Sequence, residues 1–125
     1  MTTLPPSPSV QVVFLHLDSS PALEGAIRDN VAKLALIFGR ITHCRVTVAR
    51  VDHRHLHASG YDICFEIGLP RGPLVVRHRS EAGEDAHAAV HQAFHTVRRR
   101  FEEHVRKLRG DDRRHQARAT PGSLG

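Results

Sequence analysis

RVTVARVDHRHLHASGYDICFEIGLPRGPLVV, residues 45–76, holds three strand-like runs separated by two turns. In the first run Cys44, Val46 and Val48 fall on one side of the chain while His43, Arg45 and Thr47 fall on the other. A period of two marks a strand with one apolar and one polar or basic face. After DHRHLHASG turns the chain, Tyr61, Ile63, Phe65 and Ile67 alternate with Asp62, Cys64 and Glu66 in a second half-buried strand. Pro70, Gly72 and Pro73 make a tight connection into a third run, Leu74 to Arg79. A slip of one residue would turn every side chain to the opposite face. The hairpin must therefore pair in the parity that sets Val46 and Val48 beside Ile63 and Phe65.

Working outward, Val10 to Leu17 is a short β-branched run suited to another strand, and residues 1–9, with three prolines, read as a flexible lead-in. Ser20 and Pro21 start a helix, because the hydroxyl caps free N–H groups and proline at the first position forfeits no hydrogen bond. Leu23, Ile27, Val31, Leu34 and Phe38 then draw one apolar stripe, and Gly39 ends it. A last helix is expected from about Ser80, favoured by Glu81, Glu84 and Asp85, to Gly110. Its stripe is Ala89, Val90, Ala93, Phe94, Val97, Phe101, Val105 and Leu108. Residues 111–125 read as a basic, disordered tail, which leaves residues 10–110 as one domain.

The predicted fold class is α+β. It is a two-layer β-α-β-β-β-α arrangement, a four-stranded sheet with two helices on one face. Cys44 and Cys64, the only cysteines, are expected to be unpaired thiols. No apolar run approaches the roughly 18 residues of a membrane span, and MTTLPPSPSV lacks the layout of a signal peptide, so the expected location is cytoplasmic.

Charge is unevenly distributed. Residues 1–97 carry nine basic and nine acidic side chains, whereas residues 98–118 carry nine basic against four acidic, so the formal excess of +5 comes from that one stretch. Such a concentration is the footprint of a phosphate-backbone partner, although a solvated charged helix has the same composition. With the apolar stripe facing the sheet, Arg99, Arg106 and Arg109 point away from it and Arg98 and Lys107 lie towards the flanks. Arg28, Lys33 and Arg40 on the first helix widen this ridge. Arg45 on the sheet and Arg54 in the turn are the other candidate contacts.

No catalytic pattern competes with this reading. There is no Gly-flanked serine, no HExxH and no phosphate-cradling glycine loop. His87, His91 and His95 stand four apart on one helix, and His53, His55 and His57 cluster in a turn. Because nothing completes a ligand set, they read as polar histidines and no metal is expected. The five phenylalanines all fall within apolar stripes and are assigned to the core, not to base stacking.

SPALEGAIRDNVAKLALIFGRI, YDICFEIGLPRGPLVV and EDAHAAVHQAFHTVRRRFEEHV together resemble the family of ribosome hibernation-promoting factors and ribosome-associated inhibitors, also called ribosomal subunit interface proteins. The likeness runs from Val10 to Gly110 and is closest to the short members. It implies a fold related to double-stranded-RNA-binding domains. It also implies a non-enzymatic role on the small (30S) ribosomal subunit, bound to ribosomal RNA in the channel of messenger and transfer RNA. Arg99 matches a basic position of the family's second helix, and Arg28, Lys33 and Arg40 match basic positions of its first. Thr96 and Glu103 stand where members tend to have lysine, and His87 where tyrosine is customary. The expected protein is a monomer without the C-terminal dimerisation domain of the long members, needing no cofactor, membrane or small-molecule substrate. An older family label, modulation of a sigma factor, supplies the alternative of a regulatory protein-protein interaction module.

Overall fold

The structure, a computed structural model, describes residues 8–53, 58–81 and 83–119. The elements run β1 (Ser9–Leu15), α1 (Pro21–Phe38), β2 (His43–His53), β3 (Ala58–Gly68), β4 (Leu74–Arg79) and α2 (Ala86–Ala119). The sheet has the order β1-β2-β3-β4, with β1 parallel to β2 and the other pairs antiparallel. The α+β architecture is the one the sequence predicts.

Register follows from apolar burial. Val46 lies opposite Phe65 and Val48 opposite Ile63, the parity required for a one-sided core, and Phe65 in turn lies opposite Val76. These five side chains are buried, together with Ile27, Val31 and Leu34 of α1 and Val90, Phe94, Val97 and Phe101 of α2. Phe65 meets Phe94 edge-on at 5.0 Å, and Phe38 stacks on Phe101 at 4.3 Å. Both helices thus share one face of the sheet.

α1 begins as its cap residues dictate. The Ser20 hydroxyl accepts a hydrogen bond from the Leu23 N–H at 3.2 Å, and Pro21 is the first helical residue. It ends at Gly39, whose φ of 62° and ψ of −179° belong to a region that only glycine enters freely. Arg40 follows at φ 57°, so the chain leaves the helix through two left-handed residues before Ile41 returns it to the core.

The last helix differs from expectation at both ends. Ser80 does not open it: buried in the sheet, its Oγ accepts from the Tyr61 N–H at 2.7 Å while its own N–H donates to the Tyr61 carbonyl at 2.8 Å. Asp85 is the cap, accepting from the Ala88 N–H at 2.9 Å, and Glu81 and Glu84 precede the helix. The stop expected at Gly110 is absent, because α2 continues to Ala119, and the tail expected from residue 111 is helical as far as that. One interior glycine costs about 1 kcal/mol, which neighbouring helix formers outweigh unless the glycine takes a left-handed turn. Of the expected flexible lead-in, residues 1–7 lie outside the described residues and Ser9 already belongs to β1; residues 120–125 also lie outside.

Both cysteines are free, as expected. Cys44 faces the helices opposite Ile67 and Cys64 faces the other side opposite Thr47, so the sheet separates them. Burial pushes the Cys44 thiol up to about 11. The Cys64 thiol is also raised, first by burial and then by the Glu66 carboxylate.

Two outcomes follow from this core. Replacing Phe94 by alanine removes the partner of Phe65 and is expected to cost about 3–5 kcal/mol in urea unfolding. An unfolded chain ionises Cys44 near 9.0 whereas the folded chain holds it neutral to about 11. Its contribution to stability is therefore complete below the first value and lost as pH rises through the second. Unfolding free energies measured at about pH 8 and about pH 10 are expected to fall less in Cys44→Ala than in the parent.

Candidate nucleic-acid interface

The apolar stripe that seats α2 on the sheet also fixes where its cations go. With Val97 and Phe101 buried, Arg98, Arg99, Arg100, Arg106, Lys107 and Arg109 are all exposed. Among the described residues no hydrogen bond or ion pair engages these six side chains, even though Glu102 and Glu103 lie on the same helix. Lys33 and Arg40, exposed on α1 and at its end, extend the basic surface across the helical layer.

Two hollows open on the helical layer. In one, between α1 and α2, Asn30, His91, His95 and Arg98 line a space beside Phe94, and the rings of His91 and His95 lie 5.6 Å apart. At the end where α1 stops, Arg40, Arg71 and Arg109 ring a wider hollow floored by apolar side chains. Neither hollow is lined by a carboxylate among the described residues. Phosphate oxygens are the chemical complement of such a surface, since guanidinium forks bind them bidentately.

The other candidate residues are placed differently. Arg28 is diverted into local structure, donating to the Val10 carbonyl at 3.0 Å and pairing with Glu24 at 3.1 Å. It ties α1 to the start of β1. Arg45 lies on the sheet face away from the helices, opposite Glu66 in register. On that same face Asp62 is approached by Arg77 at 3.4 Å and Arg79 at 3.9 Å. The cations of the open sheet face are therefore partly balanced, as Arg28 is on α1, whereas the six of α2 have no ion pair among the described residues. Arg54 lies outside the described residues.

Sequence reasoning overlooked Arg71 and Arg100. Arg100 is the third member of the run RRR and needed only to be counted; Arg71 sits in the Pro-Arg-Gly turn, whose approach to α2 no periodicity reveals. Among the described residues no group of histidines, cysteines and carboxylates is arranged to hold a metal. His87, His91 and His95 are exposed, and His55 and His57 lie outside the described residues. No helix among the described residues is long and apolar enough to cross a membrane.

The model of the sigma 54 modulation protein / S30EA ribosomal protein family matches residues 10–109. The chain belongs to that family. It is a family of ribosome-associated interface and hibernation proteins, not of enzymes. Among solved structures, a ribosomal subunit interface protein from Coxiella burnetii superposes with a TM-score of 0.63 at 14% identity, covering 77% of this chain and 96% of that one. The N-terminal domain of Thermus thermophilus Protein Y superposes with a TM-score of 0.54 at 16% identity, covering 81% of this chain and 98% of that one. At these identities the likeness is one of fold. No curated protein sequence matches.

The placement of Arg28 separates it from its neighbours. Arg28→Gln is expected to lower stability by about 0.5–1.5 kcal/mol through the lost bond to Val10, the exposed Glu24 pair adding little. RNA affinity, measured by filter binding, should stay close to that of the parent. The exposed, unpaired Arg99→Gln should do the reverse.

Proposed function

We propose that this protein binds ribosomal RNA of the small (30S) subunit through its helical layer, in the channel of messenger and transfer RNA, and so holds ribosomes inactive. The observation that carries this reading is the row of exposed α2 cations, Arg98, Arg99, Arg100, Arg106, Lys107 and Arg109, without an acidic partner among the described residues. Arg99 and Arg106 stand seven positions apart, two helical turns, and so share the outermost line of α2. Cations spaced along a rigid rod suit the regular phosphates of folded RNA, and contacts of this kind recognise shape more than sequence. In this reading Lys33 and Arg40 extend the contact, and Arg45 and Arg54 are secondary. The protein acts in the cytoplasm as a monomer.

A regulatory protein-protein module would depend on apolar contact and would respond weakly to salt, whereas phosphate binding releases counterions and weakens steeply as salt rises. Replacing Arg98, Arg99, Arg106 and Lys107 together by glutamine is expected to leave the thermal midpoint nearly unchanged, since exposed charges contribute about 0–1 kcal/mol each. Co-sedimentation with the small subunit through a sucrose gradient should be largely lost. The slope of log affinity against log salt should fall by roughly one unit per phosphate contact removed. If the variant sediments with ribosomes at moderate salt as the parent does, the helical ridge is not the binding surface.

A further inference from the structure

The hollow where α1 ends has features that phosphate binding alone does not require. Its volume is about 410 Å³, and its floor is built by Phe38, Leu69, Phe101 and Leu108. Phe38 is half-buried, stacked at 4.3 Å on the fully packed Phe101, so its ring is fixed while part of it stays open to solvent. Around this floor stand Arg40, Arg71 and Arg109, with His104 also on the wall. No carboxylate lines the hollow among the described residues. The arginines come from three separate parts of the fold: the left-handed residue after α1, the turn between β3 and β4, and α2.

An apolar floor with a fixed aromatic ring, enclosed by cations, matches a ligand that has a flat uncharged face and a nearby negative charge. A lipid tail would fit the floor but is far longer than the cavity. A bare phosphate would leave the floor wet. A single nucleotide satisfies both halves, its base against Phe38 and its phosphate between the guanidiniums. We propose that this hollow receives one unstacked nucleotide of the bound RNA, its base lying on Phe38 and its phosphate held by Arg40 and Arg109. The inference rests on the RNA-binding reading above and adds a fixed point to it: the ridge grips backbone anywhere, whereas the hollow selects a place where a base is free to leave its stack. Phe38 therefore combines a core contact with a binding surface.

The test uses the full chain labelled with nitrogen-15 and four probes: adenosine 5′-monophosphate, ribose 5-phosphate, an RNA hairpin with one bulged adenosine, and the same hairpin fully paired. The mononucleotide and the bulged hairpin are expected to shift the amides of Gly39, Arg40, Leu69 and Phe101, and ribose 5-phosphate is not. Phe38→Leu, which keeps most of the core volume, should weaken binding of the mononucleotide and the bulged hairpin about fivefold or more, the effect of losing one stack. Binding of the paired hairpin should be unchanged. Arg40→Asn, which keeps a residue tolerant of the left-handed backbone, should weaken the same two probes by a larger factor than the paired hairpin, whose contact Arg40 only extends, and leave the thermal midpoint in place. Equal shifts from ribose 5-phosphate, no preference for the bulge, or parental binding by both variants would each overturn the proposal. Because the paired hairpin reports on the ridge alone, its loss or retention separates a failure of the hollow from a failure of RNA binding altogether.

Discussion

Phe65 is the point at which the two layers are locked together. It is fully buried, faces Val46 on one neighbouring strand and Val76 on the other, and meets the ring of Phe94 at 5.0 Å. Moving β3 by one residue would carry Phe65 to the open face and bring Glu66 under the helices, which burial of an unpaired carboxylate forbids. Register, helix placement and the direction in which α2 turns its polar side are thus set by one packing requirement. The edge-to-face geometry adds specificity, since a ring pair of this kind fixes angle as well as distance.

That requirement has an electrostatic consequence. A sheet that buries one face leaves the other to water, and here the open face carries carboxylates close to its cations, with Asp62 between Arg77 and Arg79. The helical layer is built otherwise. Among the described residues six exposed cations on α2 stand without ion pairs, and the hollows beside them have no acidic lining. Neighbouring like charges repel and so oppose folding slightly, an expense that solvent screening keeps small and that a polyanion would remove on binding. Residues that stabilise the fold are consequently almost separate from the exposed cations, with Phe38 half-buried between the core and the hollow.

Much of this was legible in the sequence because it depends on period. The alternation around Val46 and Phe65, the stripe from Leu23 to Phe38 and the Ser20-Pro21 start each specify a local geometry that tertiary contacts only reinforce. What escaped was decided by contacts between distant residues. Ser80 looks like a helix cap, yet the backbone of Tyr61 engages both its hydroxyl and its N–H, and Asp85 takes the capping role instead. Gly110 looks like a stop, but whether glycine stops a helix depends on its backbone angles and not on its identity. Among the basic candidates, charge was visible and orientation was not. Arg28 is bound to the Val10 carbonyl, and Arg45 faces the sheet's open side, outcomes fixed by where β1 and β3 lie.

The length of α2 gives the basic surface its mechanical character. Its 34 residues extend for about 51 Å, and among the described side chains those packed against the core run from Ala86 to Val105. The helix past that point is an extension of a rod whose base is held by Phe94, Val97 and Phe101. Cations on a flexible tail would lose conformational freedom each time they met a phosphate, and that entropy would be subtracted from their attraction. Cations on an anchored helix have already given it up during folding, when burial of the stripe supplied the compensating free energy. The one-sided core is therefore what lets exposed arginines, each a weak contact alone, act together as a preformed surface.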